Sequence, residues 1–187
     1  MAHRLGFWLA HLFVLAYCGV LLAAFGVQFL MGEYPCPLCI LQRMAMVLVC
    51  LGPVYIISRG RHGEVSLRDY ATGYGMSIIA AVVGMAMSAR QVMLHIVPPD
   101  PGFGEPILGL HLYTWALITF LIVIVFGGIN MIFARELVPT GVRFGLLSKL
   151  TLGLFLVIVA AELVTVFLLE GFHWYLPDNP ARYEIFG

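Results

Sequence analysis

Long apolar runs separated by short polar breaks dominate the chain until near its end. A helix needs about 20 mainly apolar residues, in a range of about 17 to 25, to cross the hydrocarbon core of a bilayer. Five runs reach this range, at residues 7–31, 41–57, 70–96, 108–134 and 144–169. The pattern therefore predicts an all-α integral membrane protein, a helical bundle with five transmembrane helices.

The composition supports a membrane protein and excludes one class of partner. Hydrophobic residues make up 61% of the chain and charged residues 11%, against roughly 45–50% and about 25% in an average soluble domain. The formal net charge is zero, and no basic run with interleaved aromatics is present, so we expect no nucleic-acid partner. The first run is too long for a usual signal peptide, so we expect it to be retained. Short breaks rich in Gly, Pro and charge indicate a single domain over residues 1–187.

The basic residues predict how the helices are oriented, because Lys and Arg concentrate in cytoplasmic loops near membrane ends. If five helices alternate in direction, seven basic residues fall on one side, whereas the loops and tail of the other side carry only Arg182. The seven are Arg4, Arg59, Arg61, Arg68, Arg135, Arg143 and Lys149. The N-terminus is therefore predicted to be cytoplasmic and the C-terminus to lie outside. Residues 32–39, "GEYPCPLC", then lie on the outer face, where disulfides persist.

Two cysteines in a Cys-x-x-Cys arrangement stand at the start of the second run. Pro37 disfavours the helical conformation for Cys36 and is itself tolerated in a first helical turn. We therefore expect a helix that begins at Pro37 or Leu38, with Cys39 in its first turn, where free N–H groups and the helix dipole favour a thiolate. Cys39 is predicted to be the buried, reactive thiolate, and Cys36 the cysteine nearer the aqueous loop that meets an incoming protein disulfide or thiol.

Two arginines lie inside the apolar runs near the predicted outer face. Arg43 follows Cys39 by four residues, which predicts one shared helix face. There its guanidinium would hold Cys39 as thiolate and donate hydrogen bonds to a carbonyl oxygen of a bound acceptor. Arg90 lies near the end of the third run, where a charge faces the bundle interior by default. The alternative for Arg90 is that its guanidinium extends to the outer headgroups.

The residues around the two cysteines also bear on whether the pair could bind haem or a metal ion. A c-type haem site needs His directly after the second cysteine, but Ile40 is there. A zinc site needs four ligands, and a mixed site with His95 and His111 stays open as an alternative. The two other cysteines, Cys18 and Cys50, lie well inside apolar runs and are interpreted as packed apolar side chains.

Three segments of the sequence resemble the disulfide bond formation protein B family, DsbB, the quinone-linked thiol oxidases of bacterial inner membranes. They are "CPLCILQR" at 36–43, "ARQVMLHIVP" at 89–98 and "LGLHLYTWALI" at 108–118. The order of elements agrees through about Ala134. The resemblance implies a four-helix DsbB-like region over residues 1–134, and leaves residues 135–187, with the fifth helix and an outer tail, as an addition.

The resemblance also implies an activity and a site. Cys36 and Cys39 resemble the redox pair that lies next to the quinone, and Arg43 resembles the quinone-binding arginine. Arg90 and Gln91 fall where many members have an Arg and a His near the quinone. The implied cofactor is ubiquinone or menaquinone, and the implied partner is a periplasmic thioredoxin-fold thiol protein of the DsbA type.

One departure from the family affects the partner. Well-known members carry a second cysteine pair in the outer loop between the third and fourth helices, whereas residues 93–109 here contain no cysteine. An intramolecular relay is therefore impossible, and the pair must act directly or with a separate relay protein. Two other hypotheses use the same residues: a carrier of a soft metal such as Cu(I) or Hg(II), or a non-catalytic accessory subunit of a membrane complex.

A carboxylate, Glu162, lies in the middle of the fifth apolar run. A carboxylate in a membrane should be protonated or paired. We expect a structural partner for it, with Arg90, Asn130 or a neighbouring subunit as candidates. A proton path to quinone is the alternative.

Overall fold

The structure is a computed structural model that describes residues 2–142, 144–173, 175–177 and 179–186. Arg143, which entered the predicted orientation, therefore lies outside the described residues. Six α-helices follow one another: α1 Ala2–Leu30, α2 Pro37–Arg59, α3 Leu67–Leu94, α4 Leu112–Ile132, the short α5 Ala134–Leu137, and α6 Leu146–Glu170. Two 3-10 turns, Gly60–His62 and Glu184–Phe186, complete the elements, and the described residues contain no strand. The predicted all-α class is confirmed.

Five of these helices, all except α5, are long and apolar enough to cross a membrane, as predicted. We use "the cysteine end" for the end of the bundle where α1, α3 and α6 finish and α2 and α4 begin. At this end the predicted third and fourth spans were too long, because α3 stops at Leu94 and α4 starts at Leu112. Prolines at 98, 99 and 101 lack the N–H that a helix requires. The loop between them, residues 95–111, is therefore longer than the apolar pattern suggested.

Helices α2 and α3 make the most extensive helix–helix contact in the described part of the chain. A Cβ atom on Gly52 of α2 would overlap the carbonyl oxygen of Gly73 on α3, so the two backbones touch at this level. Ser77 of α3 adds a 2.8 Å hydrogen bond from its hydroxyl to the carbonyl oxygen of Val49. Small residues allow membrane helices to approach this closely. Close packing matters in a membrane because lipid provides no hydrophobic force that drives helices together. The contact fixes α3 against the helix that carries both cysteines.

Helix α6, which the resemblance left as an addition, packs along α1 and also reaches α2. At the opposite end from the cysteines, His11 of α1 donates from Nδ1 to the carbonyl oxygen of Phe7 at 2.7 Å. Its Nε2 then accepts from the hydroxyl of Ser148 on α6 at 2.9 Å. After α6, the Glu184–Phe186 turn folds back on that helix. Tyr183 packs edge-on against Tyr34, with ring centroids 5.2 Å apart.

Candidate functional site

Cys36 is the N-cap residue of α2. Its backbone is extended, with φ −69° and ψ 164°, and the helix begins at Pro37, as the sequence predicts. The backbone N–H of Cys39 donates to the sulfur of Cys36 at 3.2 Å, and the two sulfur atoms lie 2.6 Å apart as free cysteines. One free N–H of the first turn of α2 is therefore directed at Cys36, whereas we had expected the helix N-terminus to stabilise Cys39.

The exposure of the two cysteines is the reverse of the prediction. Cys36 is 5% exposed, whereas Cys39 is half-buried and borders a cavity. The expectation that Cys36 is the more accessible cysteine is therefore wrong. The reason is tertiary, because the N-cap position turns the Cys36 sulfur towards Gln91 of α3. A contact with that helix cannot be read from the local sequence.

Gln91 lies against both sulfur atoms. Its Nε2 donates to Cys36 Sγ at 3.3 Å and to Cys39 Sγ at 3.5 Å. Its Oε1 accepts from Nε2 of Gln42 at 2.7 Å, which fixes the direction of the amide. Gln91, 1% exposed, was expected to contact a quinone, but it contacts the cysteines and is not part of the cavity wall. Gln42 was missed, although a polar residue inside an apolar run was a signal.

Arg43 lies one turn below Cys39, and both side chains border the same cavity, as their spacing predicts. The side chain of Arg43 is 9% exposed. Its Nη1 donates to Oε1 of Gln28 at 2.7 Å, and its Nη2 donates to the carbonyl oxygen of Ala24 at 3.2 Å. Gln28 in turn donates from Nε2 to the hydroxyl of Tyr183 at 3.2 Å. Two bonds from α1 therefore orient Arg43, and sequence reasoning missed Gln28.

Glu162 of α6 meets Arg43 inside the bundle. Its Oε2 lies 3.9 Å from Nη1 of Arg43, and the side chain is 1% exposed. Neither carboxylate oxygen has a hydrogen-bond partner within the described part of the chain. The partners considered from the sequence do not take this place, because Asn130 bonds to Tyr70 and Arg90 is exposed. Arg90 also makes no contribution to the cavity wall, which agrees with the headgroup alternative for its side chain.

The cavity beside Cys39 has a volume of about 370 Å³. Its polar lining consists of Glu33, Tyr34, Cys39, Gln42, Arg43 and Thr119, and most of the remaining wall is apolar. The apolar lining comes from α1, α2, α4 and two connecting segments, and includes Val20, Val27, Pro35, Met46, Phe103, Ile107, Leu108, Leu112 and Trp115. A second cavity of about 260 Å³ lies between α1 and α4 and shares Val20 and Thr119 with the first. Together they form an apolar groove that starts at the cysteines.

The loop of residues 95–111 closes over the cysteine end. Asp100 accepts from the backbone N–H of Gly102 at 2.8 Å and contacts Nδ1 of His95 at 3.0 Å. Both contacts stabilise the carboxylate and lower the pKa of Asp100. The carboxylate of Glu33 accepts from the backbone N–H of Glu105 at 3.0 Å, which joins this loop to the segment before the cysteines.

The two histidines of this loop contact Tyr113, Gly104 and Asp100. His111 stacks on Tyr113 with ring centroids 5.2 Å apart, and its Nδ1 donates to the carbonyl oxygen of Gly104 at 3.0 Å. His95 stacks on the same tyrosine and contacts Asp100. Among the residues that the structure describes, no group of three or more His, Cys, Asp or Glu side chains could hold a metal ion. Cys18 and Cys50 are buried in the apolar core, in agreement with their interpretation as packing residues.

Comparison with known proteins identifies relatives of the segment that carries this site. The family model of disulfide bond formation protein DsbB matches residues 6–105. A disulfide bond formation protein B of Azoarcus sp. (strain BH72) is 38% identical over 91 residues, which cover 46% of this chain and 51% of the relative. The protein of the same name from Xanthomonas axonopodis pv. citri (strain 306) is 38% identical over 86 residues, covering 46% and 48%. The chain thus spans about half the length of these relatives, and no solved structure matches it.

The matched region contains Cys36, Cys39, Arg43 and Gln91, and ends before α4 and α6 begin. The resemblance noted in the sequence is thereby confirmed for more than half of the chain. This five-helix membrane protein belongs to the DsbB family of disulfide bond formation proteins.

Proposed function

We propose that the protein is a quinone-linked thiol:disulfide oxidoreductase of the bacterial inner membrane, and that it oxidises a thiol protein through Cys36 and Cys39. One observation carries the proposal. The two sulfur atoms lie 2.6 Å apart at the start of α2, and Cys39 and Arg43 border the same largely apolar cavity. A dithiol, a fixed cation and an apolar site for an acceptor are therefore adjacent.

The cysteine end faces the periplasm in this proposal, and the N-terminus is cytoplasmic. The support is the distribution of charge, because basic residues gather at cytoplasmic membrane ends. At the opposite end of the bundle lie Arg4, Arg59, Arg61, Arg68, Arg135 and Lys149. A periplasmic position gives the pair an oxidising compartment, in which a disulfide persists.

The cavity fits ubiquinone or menaquinone. Its volume of about 370 Å³ falls in the range of about 300–1,000 Å³ that small-molecule sites occupy. Arg43 has five N–H donors, and Gln28 and Ala24 are its hydrogen-bond partners among the described residues, so further donors could bind a carbonyl oxygen of the ring. The apolar groove between α1 and α4 suits an isoprenoid tail. A bound quinone would supply the oxidant, since it takes up the two electrons and two protons that closure of a disulfide releases.

The residues of the chain perform the thiol steps. A partner thiolate attacks the Cys36–Cys39 disulfide and forms a mixed disulfide with Cys36, and Cys39 leaves as a thiolate near the charge of Arg43. The second thiol of the partner then displaces Cys36, so the partner leaves oxidised and both cysteines are reduced. Gln91 donates hydrogen bonds to both sulfur atoms and stabilises whichever one is negative. Because Cys36 is 5% exposed, the segment before it must move for a protein partner to reach it.

The partner proposed here is a periplasmic thioredoxin-fold thiol protein of the DsbA type, or a separate relay protein. Residues 93–109 contain no cysteine, so any intermediate dithiol must come from another chain. In a Cys39→Ser variant the free Cys36 thiolate can attack the disulfide of an oxidised partner and release one partner thiolate, and no Cys39 thiol is present to resolve the mixed disulfide. Expression of that variant, followed by thiol blocking and mass spectrometry, should capture the partner through Cys36.

Turnover of the purified protein tests the activity. Given a dithiol and a soluble quinone, the protein should reduce the quinone, and Cys39→Ser should abolish that reduction. Cys50→Ala is the matched control, because Cys50 lies on the same helix in the apolar core, away from the cavity. Quinone reduction that survives Cys39→Ser would refute the proposal.

A further inference from the structure

Glu162 is a buried carboxylate without a hydrogen bond to any residue that the structure describes, and it lies outside the region matched by the family model. Taking an ionised carboxylate out of water is costly unless an opposite charge or hydrogen bonds replace the lost hydration. The nearest cation is Arg43, at 3.9 Å. A polar group in such a place is by default functional in a membrane protein.

The position of Glu162 follows from the face that α6 turns to the bundle. The buried residues of α6 recur at intervals of three or four, which defines one stripe along the helix. They are Ser148, Thr151, Phe155, Ile158, Glu162, Thr165 and Leu169. Glu162 therefore points at the other helices and not at lipid, and the packing of α6 on α1 and α2 delivers it to Arg43.

Arg43 stands between this carboxylate and the reactive cysteine. Its two hydrogen bonds go to neutral oxygens, those of Gln28 and Ala24, which orient the guanidinium but do not balance its charge. Among the described residues, Glu162 is the one carboxylate within 4.0 Å of Arg43. On its other side Arg43 borders the cavity together with Cys39, which lies one helical turn away on the same face of α2.

We propose that Glu162 is a positioning residue for the thiol chemistry of Cys36 and Cys39, acting through Arg43 and setting how oxidising the pair is. The inference rests on the proposed function, because it assigns a role within that reaction. The negative charge of Glu162 offsets part of the field that Arg43 exerts on the Cys39 thiolate. Without it, the thiolate and hence the reduced dithiol are more stable, and the pair becomes a stronger oxidant. Helix α6 thus contributes a charge to the site as well as packing.

The equilibrium of the pair with glutathione tests this role without quinone or partner. The purified full-length protein is equilibrated with reduced and oxidised glutathione, free thiols are alkylated, and the reduced fraction is counted by mass spectrometry. Glu162→Gln should shift the equilibrium constant about tenfold towards the dithiol, as expected for loss of one charge near a buried cation. Glu162→Asp keeps the charge and should stay closer to wild type. Thr151→Val should not shift it, because it removes from the same stripe a buried hydroxyl that has no hydrogen-bond partner in the described part of the chain.

The same measurement in an Arg43→Gln background separates an effect through Arg43 from a general one. There, adding Glu162→Gln should change the equilibrium constant less than twofold. An unchanged constant for Glu162→Gln alone would overturn the inference, as would an equal tenfold shift in both backgrounds. If the glutathione equilibria behave as expected but wild type does not reduce quinone, the proposed function fails and the charge coupling stands. If wild type reduces quinone normally but Glu162→Gln does not shift the equilibrium constant, the proposed function stands and the inference about Glu162 fails.

Discussion

The side-chain nitrogen of Gln91 lies 3.3 Å from the sulfur of Cys36, so a residue near the end of α3 donates a hydrogen bond to the cysteine that caps α2. The geometry depends on a second amide, because Gln42 donates to the oxygen of Gln91 and turns its nitrogen towards the sulfur atoms. The two glutamines therefore form a fixed polar support for the dithiol in an otherwise apolar bundle.

Gln91→Leu should slow oxidation of a dithiol by roughly tenfold, because a hydrogen bond to a charged group contributes about 1.5–3 kcal/mol. It should also lower the melting temperature, since the Gln42 amide loses its acceptor and is left buried. The initial rate of quinone-dependent thiol oxidation and a thermal melt in detergent measure the two effects. Ser88→Ala is the control, because Ser88 is buried one turn earlier on α3 and its hydroxyl has no partner among the described residues.

The double variant Gln42→Leu/Gln91→Leu separates stability from chemistry. Removing both amides leaves neither group unsatisfied, so the melting temperature should recover towards wild type while the rate stays low. A rate that recovers together with the melting temperature would show that Gln91 acts only through packing.

Arg43→Lys should weaken quinone binding while keeping a positive charge near Cys39. The guanidinium bonds Gln28 and Ala24 at once, and a single ammonium cannot reproduce this forked arrangement and also reach a ligand. We expect KM for a soluble quinone to rise about tenfold, with a smaller fall in kcat, as for the loss of one charged hydrogen bond. Steady-state kinetics provide the measurement, and Arg68→Lys, an exposed change at the opposite end, provides the control. Equal kinetics for wild type and Arg43→Lys would exclude a specific role for the fork.

Val20→Phe should distinguish quinones by the length of their tails. Val20 borders both the cavity at the cysteines and the groove between α1 and α4, so a larger ring there narrows the passage between them. KM should rise about tenfold for a long-tailed quinone and less than twofold for a short-tailed one, since overpacking costs about 1–3 kcal/mol where atoms must fit. Val157→Phe on the exposed face of α6 is the control for size. Equal effects on both quinones would place the tail elsewhere.

The loop of residues 95–111 should lose its order in acid. The pKa of Asp100 is lowered in the folded loop by the Gly102 N–H and His95. Its stabilising effect is therefore complete above the ordinary carboxyl pKa of about 3.9, and is lost as the pH falls through the lower folded value. Hydrogen exchange at the Gly102 amide should accelerate in that range relative to its intrinsic rate.

The variant Asp100→Asn tests whether Asp100 itself causes the loss of loop order in acid. The variant keeps an acceptor oxygen but cannot ionise, so protection of Gly102 should be weaker at neutral pH and independent of pH between about 2 and 5. Glu105→Gln is the matched control in the same loop, because its contact to Glu33 uses the backbone N–H and not the side chain. If Asp100→Asn still loses protection in acid, another group controls the loop.

Local features of the site could be predicted from sequence because they depend on neighbouring residues. Pro37 determines where α2 begins, and a spacing of four places Cys39 and Arg43 on one face. The burial of Cys36 and the contact of Arg43 with Glu162 depend instead on how different helices face each other. The apolar runs give little information about that, since residues that face lipid and residues that face the core are equally apolar.

For the same reason, the overall fold could be predicted from the sequence more completely than the site. Span length and apolar content identified five membrane helices without any knowledge of their packing. Gln28 and Gln42 were the remaining signals, because a polar amide within an apolar span must find a partner. Their partners, Arg43 and Gln91, each lie on a different helix from the glutamine. The pairing therefore depends on how α1, α2 and α3 pack, which the sequence does not show directly.

The contact of Gly52 with Gly73 affects how a membrane-dissolved molecule can enter the protein. Helices α2 and α3 touch through their backbones, so this side of the bundle is closed to lipid. Between α1 and α4, in contrast, the two cavities leave space, bridged by a 3.3 Å hydrogen bond from the Tyr17 hydroxyl to the carbonyl oxygen of Thr119. A molecule with an apolar tail would therefore find room on the α1 and α4 side of the protein and none on the α2 and α3 side.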